Sequence, residues 1–359
     1  MAKKKLLHVM MGNHNPDMQK GLDSVFECYH LDWLTNFEEI PHLPEVDQRT
    51  IELKRVHRFD PRNPSGEQRK PRGAKVQSGN DYPTLFDEKV LKAFAEFNPD
   101  IVFIHTQRSG VVSNGAAAEM RKTAKVVNFT GDVRWPVPDF YKSLGRNIDM
   151  TLFTNMEDVN ELKRLLIPSD FLQVGFDSEN FNPDGPVNEQ TPEIVFLGNN
   201  YGRMFPLSEQ RELMVRTLKE VYKDRVGIYG TGWNEWGNGP IESYSEEGKV
   251  YRGCKIAISL SHFNRSRYAS DRLFRIMGSG AFCLTHDYKE LDLDFIVGQD
   301  LDKFDGKNIN ELISKINYYL ENEQEREEIA LNGCIKARQM FTWHNFAENL
   351  EVITNNIKK

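Results

Sequence analysis

Eight short, mostly apolar runs give the chain its pattern. Leu6 to Met11, Asp100 to His105, Lys125 to Phe129 and Met150 to Phe153 lie in the first half; Ile194 to Leu197, Val226 to Tyr229, Ile256 to Leu260 and Ala281 to Thr285 lie in the second. Continuous apolar runs of this length suit strands buried on both faces, as in a parallel sheet. Amphipathic stretches separate them, among them Leu85 to Phe97, which Pro99 closes off. The alternation predicts an α/β chain with helices on both faces of its sheets. After the first run, the turn cluster Gly12-Asn13-His14-Asn15-Pro16 is expected to lead into a helix ending near Tyr29.

Two stretches break the alternation. From Arg58 to Tyr82 the chain carries Pro61, Pro64, Pro71, Gly66, Gly73 and Gly79 and few apolar residues, which predicts a long surface loop. From Val174 to Pro183, and on through a polar stretch to Thr191, no apolar run occurs, so a domain boundary is expected there. A length of 359 residues exceeds what one core usually supports. The expected division is a first domain over 1–178, a second over 190–342, and a last helix over 343–359 that returns to the first.

Composition narrows the class. With 39% hydrophobic and 28% charged residues, the chain reads as folded and globular. No apolar run approaches the roughly 20 residues of a membrane span. The lysines before Leu6 and the short run after them do not make a signal peptide, so a cytoplasmic location is expected. Cys28, Cys254, Cys283 and Cys334 form no close pair and are expected to be reduced packing residues. Net charge is −7, yet Arg49 to Lys75 holds nine Lys/Arg against three acids, an asymmetry suited to an anionic partner.

The segments "VGFDSENFNPDG", "VYRGCKIAISLS", "SDRLFRIMGSGAFCLT" and "YYLENEQEREEIALNGCIKARQMFTWHNF", in this order, resemble the linker and C-terminal domain of GT-B glycosyltransferases, in particular group 1 and CgeB-like members. The patches "FTGDVRWP", "FLGNNYGRMFPLSEQRE" and "DRLFRIM" are more weakly similar to the DNA β-glucosyltransferases of T-even phages. The resemblance implies two Rossmann-like domains facing a cleft and transfer of a sugar from a nucleotide-sugar donor, UDP-linked as the first expectation. It implies no resident cofactor and no essential metal.

Such a transfer must stabilise a departing diphosphate, which arginines and helix N-terminal amides can do. Ser270 is a suitable N-cap for a helix starting at Asp271, and the resemblance makes Arg272, in its first turn, the diphosphate-binding arginine. It places Arg211, and with it Arg203, at the same group. Gly198 opens a loop after the strand Ile194 to Leu197, where backbone amides could approach an anion. Tyr229, Gly230 and Trp233 belong to a "YGTGW" turn that resembles the CgeB-like turn near the nucleotide base, with Tyr251 as an opposite wall. Where many GT-B enzymes carry a ribose-binding Glu, this chain has Arg275, which cannot accept a hydrogen bond. Ribose recognition must therefore differ, or Arg275 holds phosphate.

Asp132 follows the strand Lys125 to Phe129, and loops at the carboxyl ends of parallel strands are where such folds place their sites. By resemblance Asp132 is the base that deprotonates the acceptor hydroxyl for an inverting displacement. Gly12, His14, His105 and Arg134 are the candidate acceptor-side residues. Asp292, Asp294, Asp300 and Asp302 occur as two Asp-x-Asp pairs, expected to be surface charge rather than metal ligands. The acceptor stays open between a glycan or small molecule and DNA. A nucleotide-sugar binding protein without turnover is the alternative that Arg275 keeps in play.

Overall fold

The computed structural model describes residues 2–10, 16–33, 84–133 and 136–358. Gly12, His14, Arg134, the stretch Arg49 to Lys75 and the loop Arg58 to Tyr82 lie outside the described residues.

The chain divides into two compact units, one of 1–172 with 347–359 and one of 173–346. In the first, strands β1 (Lys5–Met10), β2 (Glu27–Asp32), β3 (Ile101–His105), β4 (Lys125–Thr130), β5 (Met150–Phe153) and β6 (Ser169–Phe171) form one sheet in the order β2-β1-β3-β4-β5-β6. Every pairing is parallel. Helices α1 (Pro16–Val25), α2 (Leu85–Phe97), α3 (Asn114–Arg121), α4 (Asp139–Gly145) and α5 (Met156–Arg164) connect the strands. A capping box between Thr84 and Asp87 starts α2, and Asn98 in the left-handed region ends it.

The second unit has β7 (Ile194–Leu197), β8 (Val226–Tyr229), β9 (Ile256–Ser259), β10 (Phe282–His286) and β11 (Asp302–Phe304) in the order β11-β10-β9-β7-β8, again all parallel. Its helices are α6 (Ser208–Tyr222), α7 (Tyr244–Gly253), α8 (Asp271–Gly278), α9 (Ile309–Glu321), α10 (Glu323–Met340) and the start of α11 (Trp343–Asn356). Both units are Rossmann-like. From β7 the chain moves to one side for β8 and to the other for β9, so a topological switch point lies between β7 and β9. Among the described residues, no helix is long and apolar enough to cross a membrane.

Two expectations need correction. The first helix stops at Val25, and the segment up to Tyr29 is part of strand β2, paired in register with β1. This is an edge strand on which only Leu31 is buried, so it lacks the apolar run that marks the inner strands. The Asp-x-Asp pairs are not all surface charge. Asp300 and Asp302 are each 5% exposed. Asp300 accepts from Lys336 Nζ at 2.6 Å and from the Ile296 amide at 2.8 Å. Asp302 accepts from Lys315 Nζ at 2.5 Å and from the Tyr319 hydroxyl at 2.9 Å. Asp294 pairs with Arg267 at 2.6 Å, and only Asp292 stands exposed. These carboxylates are structural: buried charge is tolerated because each is paired and hydrogen-bonded.

Candidate functional site

Strand β7 is buried at all four positions and delivers the chain to Gly198 at the switch point. A Cβ built on Gly198 would lie 2.8 Å from Arg272 Nη2 and 3.0 Å from Arg211 Nη2, so two guanidinium groups crowd this one backbone position. Arg211 comes from the first turn of α6 and is 1% exposed. Its Nη2 donates to the Asn199 carbonyl at 2.9 Å, and its Nη1 donates to the carbonyl of Leu260. Arg272, from the first turn of α8, reaches the same Leu260 carbonyl at 3.4 Å. Both lie over the Phe196 ring, at 4.9 and 5.5 Å from its centroid.

The electrostatics of this pair are unusual. Among the described residues neither Arg211 nor Arg272 forms a salt bridge, although most other arginines of this unit do. Burial, and then the charge of Arg272, lowers the pKa of Arg211 well below its ordinary value. Two like charges this close, one of them buried, repel each other and cost the free chain stability, a cost that an anion bound between them would offset.

Other groups complete the pocket. His262, two residues past Leu260, is held neutral: burial, then Arg211 and Arg272, push its pKa down to about 2. Its Nδ1 is buried without a hydrogen-bond partner, and its ring packs on Tyr201 and Phe205 at 5.2 and 4.6 Å. Ser270 occupies the N-cap of α8 as expected, but its hydroxyl makes no cap bond and is buried without a partner. Two donor-capable groups are therefore unsatisfied beside two unpaired cations.

The loop after β8 serves as a brace. The Gly198 amide donates to the Tyr229 carbonyl at 2.8 Å, and Trp233 Nε1 donates to the Gly198 carbonyl at 2.6 Å. Trp233 is buried in the core against Phe196. Gly230 has φ +134°, and a Cβ there would come 2.5 Å from the Gly198 carbonyl oxygen. Gly230→Ala should therefore destabilise the chain by about 1–3 kcal/mol and weaken anion binding at Gly198. Urea denaturation and calorimetry on the same variant check both, and a change in neither would remove the brace.

The remaining candidates are placed as follows. Arg275 is turned inward: it pairs with Asp271 and with Glu247 at 3.3 Å, donates to the Tyr244 hydroxyl at 2.8 Å, and lies 4.2 Å from that ring. Its charge, and that of Asp271, is met within the unit, and Arg275 does not join Arg211 and Arg272 at Gly198. Tyr251 is fully buried among Phe181, Leu273 and Phe274, so it forms core rather than a wall open to a base. Arg203 has a side chain 85% exposed, with Glu209 at 3.9 Å, and does not join the pair.

In the first unit, Asp132 lies just past β4, its amide donating to Thr130 Oγ1 at 3.3 Å. His105 ends β3, and burial lowers its pKa to about 4, so it is neutral near pH 7. Of the second-unit residues, then, the structure gathers Gly198, Arg211, Ser270 and Arg272, and adds His262, which sequence reasoning missed. Its position just beyond the carboxyl end of a strand was the available signal.

Residues 210–351 match a family model described as "Glycosyl transferase-like". No curated protein matches the chain. Solved structures that resemble it include sucrose-phosphate synthase from Thermosynechococcus elongatus, at 9% identity and TM-score 0.60 over 98% of each chain. A glycosyltransferase from Rickettsia africae superposes at 11% identity and TM-score 0.61 over 99% of each chain. Anabaena HepE in complex with UDP and glucose does so at 11% identity and TM-score 0.60, over 98% of this chain and 99% of that one.

Proposed function

We propose that this chain, a glycosyltransferase by its domain match and GT-B by its fold, takes its sugar from a uridine diphosphate donor held by Arg211 and Arg272. One observation carries the reading: two guanidinium groups with no carboxylate partner among the described residues meet at Gly198, at the switch point of the second unit. HepE, whose fold the chain shares, is found in complexes with UDP and with UDP-glucose, which supports uridine as the nucleoside.

The chemistry follows from charge. As the bond between the anomeric carbon and the diphosphate breaks, the electron pair leaves with the phosphate. Arg211, Arg272 and the free amides at the start of α8 would stabilise that growing negative charge. The arginines then supply what a divalent cation would otherwise supply, so the transfer runs without metal. On the acceptor side, Asp132 takes the proton of the attacking hydroxyl, whose oxygen bonds to the anomeric carbon from the opposite face and inverts it. The acceptor is a sugar or small-molecule hydroxyl.

Arg272→Ala tests the donor assignment. Loss of a charge-assisted contact should weaken UDP binding by about ten- to a hundredfold, with the effect the same in the presence of a chelator. Calorimetry that finds UDP affinity unchanged would remove Arg272 from the site. Donor hydrolysis or transfer by the parent separates an enzyme from a silent binder.

A further inference from the structure

A second cluster lies far from the arginines in sequence and belongs to the first unit. Asp23 sits in the last turn of α1, and Cys28 and His30 are alternate residues of β2, so the two project from one face of the strand. One ligand atom from each of the three lies within 4.8 Å of the other two. His30 Nε2 is 3.0 Å from Asp23 Oδ1. Its other nitrogen, Nδ1, is 3.0 Å from Nδ1 of His8, a fully buried residue of β1 that pairs with His30 in the sheet register.

We propose that Asp23, Cys28 and His30 bind a zinc-class divalent cation, with His8 fixing the His30 ring from behind. The donor set decides the class. Sulfur, nitrogen and oxygen together suit zinc and its neighbours, whereas magnesium and calcium take oxygen alone. Three protein ligands leave a fourth position for water. Coordination through Nε2 puts the His30 ring proton on Nδ1, which then donates to Nδ1 of His8, so His8 takes the orienting place that a carboxylate, carbonyl or water fills behind other metal-bound imidazoles.

The ion would tie the end of α1 to β2, the edge strand of the sheet.

The test titrates the full chain, stripped with a chelator, with Co²⁺ and then with Zn²⁺. The expected result is one ion per chain, a thiolate-to-cobalt charge-transfer band that Zn²⁺ displaces, and a higher melting temperature with Zn²⁺ than without. Cys28→Ser, nearly isosteric, should abolish the band and the thermal shift. His30→Gln should do the same, and His8→Phe should weaken binding by about tenfold. No band in the parent, or a band that survives Cys28→Ser, overturns the proposal. Circular dichroism of Cys28→Ser separates lost binding from lost folding, and His30→Gln carries the test if that variant fails to fold.

Discussion

Asp132→Asn is expected to lower sugar transfer by roughly two to four orders of magnitude, the usual scale of general-base catalysis, while leaving UDP affinity at the parental value. The amide keeps the volume and the turn but cannot take a proton. The donor residues named above all belong to the other unit, so the two readouts separate. Release of UDP in the presence of an acceptor measures the first, and calorimetry the second. Parental turnover in the variant would rule out Asp132 as the base. A product with retained anomeric configuration would exclude direct displacement even if Asp132 proves essential.

Replacing both Arg211 and Arg272 by Met should remove UDP binding altogether, a loss of about two to four orders of magnitude if the two contacts add. The free chain should respond differently. The parent holds two like charges beside Gly198 with no carboxylate among the described residues, and the double variant relieves that repulsion while giving up hydrogen bonds to the Leu260 and Asn199 carbonyls. Its melting temperature without ligand should therefore fall little. UDP at about a hundredfold excess over its Kd stabilises the parent by about 2.7 kcal/mol, and this shift should vanish in the variant. A double variant still stabilised by UDP would place the donor elsewhere.

How much of this was legible in the sequence depended on whether the signal was local. The inner strands announced themselves because a strand buried on both faces is apolar throughout: Met150–Phe153 and Ile194–Leu197 have the bounds their apolar runs suggested, and so does Val226–Tyr229, an edge strand buried at its first three positions. Strand β2 did not, because an edge strand with one buried residue reads like a helix end. Asp300 and Asp302 were misjudged for a related reason: their partners, Lys336, Lys315 and Tyr319, lie on later helices, and pairing at that separation leaves no local trace. The same holds at the candidate site. Arg211 and Arg272 could be named from resemblance, but not their convergence on one glycine. Arg275 could be seen to depart from the family pattern, but not that Glu247 and Asp271 absorb its charge. His262 belongs to no motif.

With Arg275 paired elsewhere, the site keeps a simple character among the described residues: two cations and no carboxylate paired with them. The affinity of such a site climbs with the charge of its guest, whatever the guest carries at its far end. A diphosphate freed of its sugar gains a further negative charge near neutral pH, since its terminal phosphate is no longer esterified. If Arg211 and Arg272 hold the donor as proposed, the spent nucleotide would be gripped more tightly than the loaded one, its departure would set the pace of turnover, and the accumulated by-product would inhibit the reaction that made it.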